Sequence, residues 1–134
     1  MTKFLLLTKY DADLDVAPMT EWTPEEIRRH LDFLAALNRE LAGNGELVEG
    51  LALTGPDLAK IVTSDGVADP VVTDGPFPEV KELLAGYQLV DVESAERAVE
   101  IAARVSAAPG PGGVPMRQRI EVRQVMGTLP GAEL

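Results

Sequence analysis

The stretch Val71-Val72-Thr73-Asp74-Gly75-Pro76-Phe77-Pro78-Glu79-Val80-Lys81-Glu82, running into Leu83-Leu84-Ala85-Gly86-Tyr87-Gln88-Leu89-Val90-Asp91-Val92, decides how the chain is organised. Asp-Gly-Pro is turn chemistry: the Asp carboxylate accepts from nearby backbone N–H groups, Gly tolerates any φ, and Pro fixes its own. Pro76 and Pro78 have no N–H to donate, which bars Phe77 from a paired central strand. The segment therefore predicts a stiff, extended connection that leaves one strand at Thr73 and enters another at about Leu84. In that second strand Gln88, Val90 and Val92 face one side, and Tyr87, Leu89 and Asp91 the other.

Upstream, Lys3 to Thr8 is a short Leu-rich run that predicts a first, central strand. Asp11 to Trp22 reads as a polar loop. Its Asp11, Asp13 and Asp15 have the opening spacing of a calcium loop, but Val16 and Trp22 stand where Gly and a carboxylate are required, so no metal site is expected. Thr23-Pro24-Glu25-Glu26 predicts a helix start with Thr23 as N-cap, Pro24 at the first position and Glu26 closing a capping box; losing the cap costs about 1 kcal/mol. Ile27, Leu31, Leu34, Leu37 and Leu41 project on one side of that helix, with His30 and Asn38 inside the same arc, and the helix stops at Gly43-Asn44-Gly45. Glu46 to Leu53 and Ala59 to Thr63 predict two further strands, and Asp65-Gly66 a tight return into Val71-Val72-Thr73.

Downstream, Ser94 caps a second helix whose predicted apolar stripe is Ala95, Ala98, Val99, Ala102 and Val105. Glu93 with Arg97 and Glu100 with Arg104 have the (i, i+4) spacing of surface pairs, each contributing roughly 0.3–0.5 kcal/mol. Ala108-Pro109-Gly110-Pro111-Gly112-Gly113 ends the helix, and it lacks the Lys-Ser/Thr continuation of a phosphate loop. Ile120 to Met126 closes the sheet, and residues 127–134 read as a flexible tail.

Strand, capped helix, strand thus occurs twice, with a hairpin inserted before the second unit. That order predicts an α+β, ferredoxin-like split βαβ domain over residues 1–126, with both helices on one face of an antiparallel sheet. Its other face then has no cover from its own chain. A second copy is the economical cover, which predicts a homodimer forming an α+β barrel.

Hydrophobic residues at 46% with 25% charged describe a globular chain of one domain, and no apolar run is long enough for a signal peptide or membrane span. The expected setting is cytoplasmic, with no membrane. With no cysteine and one histidine, neither a disulfide framework nor a zinc site is expected, and no cofactor is called for. The net charge of −10 opposes direct nucleic-acid binding, which draws on Lys and Arg, and the local cluster Arg117, Arg119 and Arg123 reads as a mixed-charge strand, with Glu121 among them and no aromatic residue interleaved.

Asp74-Gly75-Pro76-Phe77, followed by Glu79, Lys81, Glu82, Gly86 and Tyr87, resembles the signature of the DGPF branch of the YCII-related family. The resemblance spans roughly residues 1–126 and implies the same dimeric α+β barrel, with Gly75, Pro76 and Phe77 as structural signature residues. The family includes a branch with a proposed catalytic His and Asp, and His30 in His30-Leu31-Asp32-Phe33-Leu34 resembles that histidine's setting. The stretch matching that aspartate, Arg104-Val105-Ser106-Ala107-Ala108-Pro109, has no carboxylate, so Asp74 is the substitute.

Two functional readings follow. In one, His30 moves a proton on a small polar molecule while Asp74 orients the imidazole, and Lys81, Tyr87 and Arg123 hold the substrate. Each residue also has a plain alternative. His30 packs against the sheet with a backbone hydrogen bond, Asp74 caps its own turn, Lys81 pairs with Glu79 or Glu82, Tyr87 fills the core, and Arg123 pairs with Glu121. In the other reading the protein is a non-enzymatic dimer binding a ligand or a protein partner. The DGPF resemblance implies a sigma-factor-like partner in transcription, and an acidic surface suits a basic one.

Overall fold

The computed structural model describes residues 1–11, 16–75 and 82–132. Pro76, Phe77, Pro78 and Lys81, central to the sequence reading, lie outside the described residues, as does the end of the predicted tail.

Strands β1 (Thr2–Asp11), β2 (Leu47–Ala52), β5 (Glu82–Val92) and β6 (Ile120–Gln124) form one sheet in the order β2-β5-β1-β6, with every pairing antiparallel. Helix α1 (Pro24–Gly43) connects β1 to β2, and α2 (Ala95–Ser106) connects β5 to β6. The result is an α+β domain whose strand order is compatible with the ferredoxin-like arrangement. Strands β3 (Lys60–Thr63) and β4 (Val71–Asp74) pair with each other in a separate two-stranded sheet. Their connection, residues 64–70, is longer than the tight return expected at Asp65-Gly66, because the Asp65 carboxylate accepts from the N–H groups of both Val67 and Ala68 and folds a turn of its own.

Both helix starts form as the sequence predicts. The Thr23 hydroxyl accepts from Glu26 N–H, the Glu26 carboxylate accepts from Thr23 N–H, and Ser94 caps α2 by accepting from Arg97 N–H. The core lies between the sheet and the helices: Phe4, Leu6, Val90 and Val92 below, Leu37, Leu41, Ala98, Ile101, Ala102 and Val105 above.

Two helix faces differ from expectation by the same amount. On α1 the buried arc centres on His30, Leu37 and Leu41, so Leu31, one residue or 100° round from His30, is 53% exposed. On α2 the arc centres on Ala98, Ile101, Ala102 and Val105, which leaves Val99 57% exposed and buries an Ile101 that the predicted stripe omitted. The charged pairs differ as well. Arg97 grips Glu46, ahead of β2, through Nε and Nη2 at 2.9 and 2.8 Å, and also Glu100; Arg104 pairs with Glu40 of α1. A two-pronged guanidinium–carboxylate match between elements outcompetes a single contact along one helix. The hydrogen bonds from Arg97 hold the Glu46 carboxyl below its usual range, and Arg104 does the same to Glu40.

Candidate functional site

The sheet face turned away from the helices carries the alternate residues of each strand. On β1 these are Lys3, Leu5, Leu7 and Lys9. Across the ladder Leu5 lies opposite Leu89 and Arg123, and Leu7 opposite Tyr87 and Glu121, while on the far side of β5 Glu49 faces Leu89 and Leu51 faces Tyr87. Leu5, Leu7, Tyr87 and Leu89 are all half-buried, although no described helix covers them.

A cavity of about 650 Å³ opens on this face, with Lys3, Leu5, Glu49, Tyr87, Leu89 and Val125 in its wall. Gly127 and Thr128, at the start of the predicted tail, also line it. The Tyr87 hydroxyl donates to Glu49 Oε1 at 2.5 Å. That bond holds the phenol above its ordinary pKa, so Tyr87 stays a protonated donor, and Glu49 Oε2 has no other partner among the described residues. At the other end of the face Glu121 takes Lys9 at 3.1 Å and Arg123 at 3.5 Å. Arg123 therefore has the strand-neighbour partner that its plain reading expects.

His30 belongs to α1, on the opposite side of the sheet, and its side chain is buried. Its Nδ1 donates to the Pro109 carbonyl at 2.9 Å, and its ring meets Trp22 edge to face at a centroid distance of 5.4 Å. A carbonyl only accepts, so the bond places a proton on Nδ1 and leaves Nε2 as the lone-pair nitrogen of the neutral ring. Trp22 is fixed in turn by donating from Nε1 to the Ala17 carbonyl at 2.7 Å. Nearby, the Glu26 carboxylate accepts from Gly112 N–H at 2.6 Å and sits below its usual pKa range, because it receives the N–H groups of Thr23 and Gly112.

Asp74 has a different partner. It ends β4 and binds Lys60 Nζ at 2.7 Å, across the hairpin from it and well exposed. Gly75 follows with its N–H donating to the Ala59 carbonyl at 2.8 Å; a Cβ built on it would lie 1.9 Å from the Pro56 carbonyl oxygen. The Asp-Gly pair of the signature thus clamps the hairpin onto the turn that precedes it. His30 and Asp74 are not joined by any hydrogen bond, since each ends on other groups. Among the described residues no set of three His, Cys, Asp or Glu side chains could hold a metal ion, and no helix is long and apolar enough to cross a membrane.

A family model described as the YCII-related domain matches residues 2–118. The chain belongs to the YCII-related domain family. A similar curated protein is the "Uncharacterized protein R00369" of Rhizobium meliloti (strain 1021), 32% identical over 104 residues, which cover 77% of this chain and 83% of that protein. Within this YCII-related domain, sequence reasoning singled out Tyr87 but missed its partner Glu49. A lone carboxylate between Val48 and Gly50 was the available signal, and only strand pairing brings it to the tyrosine. Pro109 was missed as a partner of His30 for the same reason, since 79 residues separate them, and Trp22, just ahead of the Thr23 cap, was missed because only the folded turn brings its ring to the imidazole.

Proposed function

We propose that this YCII-related protein, of the DGPF branch, acts as a homodimer in which two uncovered sheet faces meet as an α+β barrel and enclose a binding cleft for a small polar molecule. The observation that carries this reading is the cavity in the uncovered face, walled by leucines and bearing a tyrosine–carboxylate pair. Mostly apolar walls with a few placed polar groups are the usual make-up of a ligand site. Tyr87 and Glu49 fix the ligand, and Arg123, tied to Glu121, is a secondary anchor, with Lys81 a further candidate from its sequence position. Light scattering coupled to size-exclusion chromatography gives twice the chain mass at micromolar concentration, and Leu89→Asp gives a folded monomer. A monomeric wild type overturns the reading.

A second reading, acid–base catalysis by His30, draws on the Pro109 bond, which orients the ring and presents Nε2 as a base. The carbonyl does part of what a carboxylate partner does, without the charge that stabilises an imidazolium. Asp74 enters this chemistry only by leaving Lys60, and its present bonds favour a structural role. An NMR titration of the single histidine in wild type and Asp74→Asn decides it: a His30 midpoint that falls on the substitution restores the pair, and an unmoved one removes it. The partner-protein reading, including a sigma-factor-like partner, rests on the β3–β4 hairpin, where Ile61, Val62, Val71 and Val72 are all exposed.

A further inference from the structure

The cavity on this face has one anionic and one cationic side chain in its wall, Glu49 and Lys3, with the Met1 ammonium on the lysine's side, and the strand register fixes where the two side chains stand. Glu49 on β2 faces Leu89 on β5, which faces Leu5 on β1, and Lys3 lies two residues along β1 from Leu5. Two strand spacings across and two residues along put the Cα atoms of Glu49 and Lys3 roughly 12 Å apart. Leu89 and Leu5 occupy the floor between them. Glu49 is steadied by Tyr87 through Oε1, and its Oε2 has no hydrogen-bond partner among the described residues. Lys3 makes no ion pair with its cross-strand neighbour Asp91, whose buried Oδ1 has no hydrogen-bond partner among the described residues. The cavity thus holds two separated side chains of unlike charge with an apolar strip between them.

We infer that this cavity binds a small zwitterion of the ω-amino carboxylate class, with its ammonium on Glu49 and Tyr87, its carboxylate on Lys3, and its methylene chain across Leu5 and Leu89. A Cα separation of roughly 12 Å suits a ligand whose two charged ends are held apart by several methylenes, and a five-methylene chain, about 7 Å long, spans the strip between the two side chains. A molecule with one charge satisfies one end only and leaves the other without a partner. The inference names the ligand class of the cleft proposed above and rests on that cleft being the binding site.

The test uses 6-aminohexanoate as probe, with hexylamine and hexanoate as single-charge analogues, added to the full-length protein while backbone amide shifts are followed by NMR. Saturable shifts are expected at Glu49, Tyr87 and Leu89, with 6-aminohexanoate binding about tenfold more tightly than either analogue. Glu49→Gln lowers its affinity to that of hexanoate, and Lys3→Gln to that of hexylamine. Absence of saturable shifts, equal affinity for all three probes, or indifference to both substitutions overturns the inference. Light scattering on the same samples separates the two claims. A dimer with a silent cavity overturns the ligand class alone, whereas a monomer that binds the zwitterion overturns the dimeric cleft alone.

Discussion

The two faces of the main sheet are built from the same strands, yet they have been given opposite compositions. On the helix side, Phe4, Leu6, Val90 and Val92 are aliphatic or aromatic and buried. One residue along in each case, on the other side, stand Leu5 and Leu7 among Lys3, Lys9, Glu49, Tyr87, Glu121 and Arg123. A face that only had to close a core would need no lysine, glutamate or tyrosine. The contrast teaches that folding is secured by one set of alternate residues, which frees the other set to carry charge and a cavity.

The contrast breaks most sharply under paired truncations. Leu6→Ala should cost about 3 kcal/mol at every protein concentration, because it leaves a hole in a packed core. Leu5→Ala, on the open face, should cost well under half of that in dilute protein, and more as concentration rises if a second copy covers it. Urea unfolding at several concentrations reads both; equal, concentration-independent losses would erase the distinction between the faces.

Next in size is the strut that fastens α2 beside β2. Arg97→Ala strands the Glu46 carboxylate and should lower stability by about 2 kcal/mol. The same carboxylate supplies a pH signature. Its folded pKa is lowered, so its contribution is fully present above the ordinary carboxylate value and is lost as pH falls from about 5 through the folded value. Glu46→Gln should flatten that acid slope, and thermal melts across the range measure it.

Gly75→Ala tests the hairpin, which stands apart from both faces. The added methyl meets the Pro56 carbonyl, so β3 and β4 should lose amide-exchange protection by about tenfold or more while the main sheet keeps its own. Global loss of protection would show that the hairpin is integral to the core. The smallest effect belongs to Tyr87. Its raised pKa marks a contribution present below the ordinary tyrosine value and lost as pH climbs through the folded one. Ultraviolet titration of the phenolate should show Tyr87 ionising earlier in Glu49→Gln, and an unchanged midpoint would mean that the bond is not held in solution.

What could be read from sequence was whatever local chemistry decides. Thr23, Glu26 and Ser94 announce their caps within four residues, and the alternation of Gln88, Val90 and Val92 against Tyr87, Leu89 and Asp91 sets the two faces of β5. Phase was harder: Leu31 and Val99 are apolar residues beside true core positions, and an apolar side chain carries no label saying which neighbour faces the sheet. Partners across elements were out of reach. Arg97 finds Glu46, Tyr87 finds Glu49 and His30 finds Pro109 only after the topology exists. Asp74 was read as a catalytic candidate from its signature, while its Lys60 partner is visible only once β3 and β4 are paired.

Glu26 closes the capping box of α1 with one carboxylate oxygen and holds Gly112 with the other, across 86 residues of chain. During synthesis the first helix can form its opening turn long before the ribosome has made the glycine that completes the contact, and His30 likewise waits for Pro109. The loop after α2 is therefore set late by a vectorially emerging chain, ahead of β6 alone among the described strands. A nascent polypeptide halted short of it would display Trp22 and His30 without the carbonyl that seats the ring, an unfinished domain.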